Sequence, residues 1–180
     1  MRIKFICTFV FIFGAFVQKS VMAQPQGITL VPASNHQTFI IKLTDGDSIP
    51  TGGGNGLNNR LLLRDDRTQK IRILAISKIG EKQGDVVASI SNPQFSADRK
   101  KVYFQSAYAA VTGSIHVVDL KTGKEHFVCA GNAYTVEKSG PWVGDIIVMM
   151  HKYNGPPQYG SYDHRFVVND QGQELKDLGE

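Results

Sequence analysis

Residues 92–128 read NPQFSADRKKVYFQSAYAAVTGSIHVVDLKTGKEHFV, and they decide the fold. Pro93 to Ser96 is a short extended segment and Ala97 to Lys100 a polar turn. Lys101 to Gln105 mixes charged, β-branched and aromatic residues, as strands do. Ser114 to Leu120 is a second, more apolar strand. Lys121-Thr122-Gly123-Lys124 is a tight turn in which Gly123 accepts positive φ without a Cβ penalty. Glu125 to Val128 runs back beside it. The stretch predicts four short strands with three connections.

The closing hairpin recurs. Leu61 to Leu74 lies over Ile115 to Val128 without a gap, with Asp65 on Asp119, Thr68 on Thr122 and Lys70 on Lys124. Phe166 to Leu175 is a third copy with a shorter turn. Offsets of about fifty residues suit a repeat architecture.

Residues 93–128 resemble the TolB-like β-propeller repeat, a relative of the WD repeats. That unit has proline, aromatic, serine and aspartate before a basic residue and an alternating strand; Pro93, Phe95, Ser96, Asp98, Lys100, Val102 and Phe104 match it. A later strand ends in aspartate and is followed by Thr-Gly, as at Val118, Asp119, Thr122 and Gly123. The hairpins at 61–74 and 166–175 match more weakly, and Gln69 stands where the family prefers glycine. The resemblance implies an all-β chain, a partial β-propeller of about three four-stranded units. A β-sandwich built from similar hairpins is the alternative. Three units do not close a propeller, which takes about four to eight blades. The open edges are expected to meet a partner or another copy, and a homodimer would complete a ring.

The N-terminus, MRIKFICTFVFIFGAFVQKSVMAQ, has Arg2 and Lys4 before the apolar run Phe5 to Val17 and small residues at Val21-Met22-Ala23. This is the layout of a secretory signal peptide over 1–23, too short to span a bilayer comfortably. A single β-repeat domain over 24–180 is expected, periplasmic or secreted, with no membrane span once the leader is cut. The formal charge is +4, but Arg2, Lys4 and Lys19 belong to the leader, which has no acid. The remainder is nearly neutral, so charge gives no reason to expect nucleic acid as partner. Cys129 is then the lone cysteine, read as a small apolar residue packed in a sheet.

In the repeat frame, the inner strands b and c and the outer strand d fall near 38–43, 61–65 and 70–75, then 101–106, 114–120 and 124–129, then 145–151, 163–168 and 173–178. A candidate first strand covers Ile28 to Val31. The b–c loops are 44–60, 107–113 and 152–162. Within a blade, b–c and d–a connections share one rim, and loops carry function more often than scaffold strands do. That rim is the expected working surface.

Chemistry is sparse. No G-x-S-x-G elbow, H-E-x-x-H or C-x-x-C occurs. Ser161, Asp163 and His164 are close in sequence, but triad members usually come from separate loops. His116 and His126 sit in paired strands, a poor zinc site without a third ligand. Asp45-Gly46-Asp47-Ser48 opens like a calcium loop, but Gly56 stands where its glutamate belongs. Gly52 to Gly56 is taken as a flexible loop. No catalytic residue, metal or cofactor is expected.

The aromatics are more informative. Tyr153, Tyr159 and Tyr162 flank Gly155-Pro156-Pro157, with Asp163 beside them, and Tyr108 lies in the corresponding loop of the second unit. Tyrosine is enriched at interfaces. Trp142 and Phe95 are placed in the core. The expectation is a non-enzymatic exported module that binds another exported or periplasmic protein, in its narrowest form an inhibitor or immunity protein against a toxin or hydrolase. The rival is an enzyme or accessory subunit acting on carbohydrate or peptidoglycan, with Asp163 and His164 as acid and base.

Overall fold

The computed structural model describes residues 27–180 apart from residues 35, 45, 47, 110, 111, 157 and 158. The leader expected at 1–23 and both aspartates of the Asp45–Ser48 loop, Asp45 and Asp47, therefore lie outside the described residues. Blade one consists of β1 (Ile28–Ser34), β2 (Gln37–Leu43) and, after a small ribbon of β3 (Ile49–Thr51) and β4 (Gly54–Gly56), β5 (Asn59–Asp65) and β6 (Ile71–Ile76). Blade two is β7 (Ser91–Phe95), β8 (Lys101–Ala109), β9 (Thr112–Asp119) and β10 (Glu125–Ala130). Blade three is β11 (Ala133–Val136), β12 (Ile146–Asn154), β13 (Gly160–Val168) and β14 (Glu174–Gly179). Each blade is a four-stranded antiparallel meander, and the three sheets do not close on one another. This is the partial propeller, not the sandwich.

Burial follows from blade position. A strand turns alternate side chains to opposite faces. Blade two is covered on both faces, so Ser114 to Val118 is buried without interruption. One face of blade two packs Val102, Phe104 and Val118 against Phe39, Leu61 and Leu63 of blade one. Its other face packs Tyr103, Ile115 and Val117 against Ile146, Val148 and Phe166 of blade three. Blade three has a blade against one face only among the described residues, and β12 alternates from Ile146 to Met150, although Phe166 to Val168 of β13 are buried without interruption.

The c–d turns share one construction. A side-chain oxygen of Asp65, Asp119 and Asn169 accepts the backbone N–H of Thr68 (2.8 Å), Thr122 (2.7 Å) and Gln171 (3.0 Å). The turn then needs positive φ, supplied by Gln69 (57°), Gly123 (74°) and Gly172 (80°). Left-handed backbone costs a residue with a Cβ about 1–2 kcal/mol. Gln69→Gly is therefore expected to raise stability by about 0.5–1 kcal/mol after the added chain entropy of glycine. A melting temperature that stays level or falls would contradict this turn geometry.

Several carboxyls are held below their ordinary range. The Thr68 and Thr122 amides do this for Asp65 and Asp119, the Lys100 amide for Asp98, the Thr38 hydroxyl for Asp66 and the Lys101 ammonium for Asp170. A carboxyl depressed by folding stabilises above its unfolded pKa, and that contribution is lost as pH falls through the folded value. Thermal stability should be level from neutrality to about pH 5 and fall progressively below about pH 4. A melting profile flat to pH 2.5 would mean these contacts are not made.

One expected loop is ordered otherwise. Gly52 to Gly56 is not free: β3 and β4 pair, and the ribbon docks on blade two, where Gly53 N–H donates to the Tyr108 carbonyl (3.1 Å). A Cβ on Gly52 would come 2.9 Å from the Tyr108 ring, and one on Gly56 2.7 Å from Ala88. These glycines permit close approach. Phe95 is buried, its ring tilted against Phe39 at 5.0 Å, whereas Trp142 is only half-buried in the β11–β12 connection. Cys129 is buried and burial pushes its thiol up to about 12, the packed role expected of it.

Candidate functional site

The flanking strands of blade three stop early. β11 pairs with β12 only as far as Ala133↔Met149, and β14 reaches β13 only at Arg165↔Gly179. The β12–β13 ladder continues alone to Asn154↔Gly160. A two-stranded hairpin thus projects from the rim that carries the b–c connections. It is legible in the residues: His151 to Asn154 and Gly160 to His164 are polar and aromatic on both sides, as a ribbon with two wetted faces must be.

The hairpin corrects the loop boundaries. The b–c connections are 44–58, 110–111 and 155–159, with the first holding the β3–β4 ribbon. Tyr153, Tyr162 and Asp163 lie in strands, and only Tyr159 lies in the connection. Tyr108 is in β8, half-buried against Ile49, Val86 and Ala88. It closes a small core between blades one and two rather than joining the other tyrosines. The rim is also not the sole site of elaboration, since the nine-residue β11–β12 connection, 137–145, emerges on the opposite rim.

Register separates the remaining tyrosines. Tyr153 faces Ser161 and His151 faces Asp163, so these four share one side. There His151 Nδ1 lies 3.0 Å from Asp163 and its ring is edge-on to Tyr153 at 4.9 Å. Lys152 faces Tyr162 and Met150 faces His164 on the other side. There the Tyr162 and His164 rings meet edge-on at 4.6 Å, His164 contacts Asp177 at 3.2 Å, and Lys152 pairs with Glu174 at 2.7 Å while lying 4.0 Å over Phe166. The Gly179 amide, then His164, holds the Asp177 carboxyl below its usual range. Tyr162 is thus engaged within its own blade, while Tyr153 is 73% and Tyr159 82% exposed. A cavity of about 190 Å³ lies between this side of the hairpin and blade two, lined by Thr112, Cys129, Met150 and Lys152 among others.

The histidines of blade two do not meet. His126 pairs with Val117 and Phe127 with His116, so His116 and His126 lie on opposite faces. His126 Nε2 contacts the Asp170 carbonyl at 2.9 Å. His116 is sealed, its Nδ1 2.6 Å from Glu125, its ring stacked on Phe104 at 5.3 Å. Burial pushes the Glu125 carboxyl up, but hydrogen bonds from His116 and Lys78 outweigh it and hold it below its usual range. This triad ties blade one's exit segment to blade two. Among the described residues, no group of three or more His, Cys, Asp or Glu is arranged to hold a metal. No described helix is long and apolar enough to cross a membrane.

No protein-family model and no curated protein matches the sequence. Solved structures do match in shape. The tricorn protease aligns at a TM-score of 0.54 with 14% identity, over 83% of this chain and 13% of its own. An acylaminoacyl peptidase in complex with a Z-Gly-Gly-Phe-chloromethyl ketone aligns at 0.51 with 12% identity, over 84% and 25%. The acylaminoacyl peptidase of Pyrococcus horikoshii aligns at 0.51 with 12% identity, over 85% and 25%. The chain thus spans a quarter or less of these proteins. At such identities the likeness speaks to the fold alone: this chain has the blade architecture found in parts of much larger peptidases.

Proposed function

We propose that this chain is a non-enzymatic β-propeller module that binds another protein through the projecting hairpin of blade three. The observation that carries the reading is the pair Tyr153 and Tyr159, 73% and 82% exposed at the tip of a ribbon held on one side by the His151–Asp163 contact. Interfaces concentrate energy in a few aromatic anchors, and a ribbon fixed before contact loses little entropy on binding. Ser161 shares the side of the ribbon that carries the His151–Asp163 pair, so a test for turnover is what separates the binding reading from the enzymatic rival. The leader-like N-terminus makes the partner an exported or periplasmic protein. In its narrowest form the module is an inhibitor or immunity protein against a toxin or hydrolase, a form supported only by the layout of one projecting ribbon on a small scaffold.

The test is capture from a periplasmic or secreted protein extract, followed by titration of the captured partner. Tyr159→Ala is expected to weaken binding by about 2 kcal/mol, roughly thirtyfold, with the melting temperature unchanged. Lys121→Ala, in the c–d turn of the opposite rim, should leave binding intact. Loss with Lys121→Ala and retention with Tyr159→Ala would move the binding surface to the other rim. Turnover of cell-wall fragments by the purified protein would replace the reading with the enzymatic one.

A further inference from the structure

Blades one and three each leave one face without a blade against it among the described residues. On blade one, Leu30, Ile40, Leu62 and Ile73 form a single cross-strand row. Leu30 is 43% and Ile73 52% exposed, and Ile71 and Ile76 beside them are exposed as well. On blade three, Ile147, Met149 and Arg165 line a depression of about 150 Å³ on the outer face, beside the fully buried Val167. We infer that the open face of blade three packs on the open face of blade one in a second copy of this chain. Two copies then close a six-bladed ring with the two-fold axis along the ring axis.

The interfaces already inside the chain supply the pattern. Setting Asp65, Asp119 and Asn169 equivalent puts Ile40 and Leu62 where blade two has Phe104 and His116, the residues it turns toward blade one. It puts Ile147 and Val167 where blade two has Tyr103 and Val117, the residues it turns toward blade three. The two open faces are the two halves of a contact the chain makes twice.

A polar contact repeats with it. Arg72 on β6 donates to the Leu120 carbonyl of blade two, and His126 on β10 lies 2.9 Å from the Asp170 carbonyl of blade three. Arg72 faces Leu63 and His126 faces Val117 in the ladder; Lys176 of β14 faces Val167 and takes the same place. Asp66 follows Asp65 as Leu120 follows Asp119 and Asp170 follows Asn169. Lys176 is therefore placed to donate to the Asp66 carbonyl of the second copy.

Size agrees. Four strands about 4.8 Å apart and some six residues long give each face roughly 400 Å². Two contacts cover four such faces, roughly 1,600 Å² in total, the size of a standard stable interface.

The test is the mass of the purified protein by sedimentation and light scattering. A dimer is expected. A monomer at all concentrations up to about 100 μM, or open-ended filaments, would overturn the inference. Ile73→Glu and Met149→Glu each place an unpaired charge in both contacts and should weaken pairing at least about tenfold. An equimolar mixture of the two variants retains one intact contact and should recover part of the dimer. A dimer indifferent to both changes, or no recovery on mixing, would show that the faces do not pair head to tail. Should either glutamate variant fail to fold, the double variant Lys176→Cys/Asp66→Cys decides: an interchain disulfide on oxidation supports the ring, and its absence overturns it.

Discussion

Gly172→Val is expected to destabilise the fold by about 3–5 kcal/mol, read as a loss of urea midpoint or a melting temperature lower by roughly 6–20 °C. Gly172 sits in the c–d turn of blade three at φ 80°. A β-branched residue is strained there whatever the space around it. The space is also absent, because a Cβ would overlap the carbonyl oxygen of Val128 on β10, a backbone atom of blade two that has no side-chain freedom to yield. The turn would have to lift away from blade two, and the Lys101–Asp170 ion pair and the His126–Asp170 contact would go with it. Gly140→Val separates the two causes. Gly140 has the same φ of 80° but nothing within 4 Å of its Cβ position, so it carries the strain without the clash. Its cost should stay near 1–2 kcal/mol. Equal losses at the two positions would mean that the turn of blade three does not rest on blade two.

That glycine also marks where sequence reasoning reached and where it stopped. The c–d hairpins were visible because each turn has a chemical need, a carboxylate or amide oxygen to accept backbone N–H groups and then a residue at positive φ. Asp119, Thr122 and Gly123 answer that need locally, and so do Asn169 and Gly172. Strand order followed from the repeat, and the three sheets follow the predicted frame. The lengths of the β8–β9 and β12–β13 hairpins were hidden for the opposite reason. A strand announces itself by alternating apolar and polar residues, and a ribbon that projects past its sheet has no buried side to alternate against. The repeat frame therefore puts Tyr153 and Tyr162 in the 152–162 loop on one surface, whereas pairing in β12–β13 places them in strands and divides them between two sides. The parity needed to see this is set by Ile146, Val148 and Met150, whose alternation could have been carried forward to Lys152. The β3–β4 ribbon was hidden because glycine in a loop and glycine in a close contact look alike until Tyr108 and Ala88 are placed against Gly52 and Gly56.

Phe104→Ala is expected to cost about 3–5 kcal/mol, as large aromatic truncations in a closed core do. Phe104 is fully buried in β8, on the face that meets blade one, and its ring stacks at 5.3 Å on His116. Removing it opens a cavity in the core that also holds Phe39, Leu61 and Val118. The loss reaches further than area. His116 has no partner for Nε2 among the described residues and is kept in place by the stack and by Glu125. Without the ring, the imidazole loses the contact that covers its face. The variant should therefore lose stability. Phe104→Leu keeps most of the volume but not the stack, so it should recover most of that loss. A Phe104→Ala protein that melts within about 2 °C of the parent would mean that blades one and two are not packed through this residue, and the repeated contact from which a second copy is inferred would lose its template.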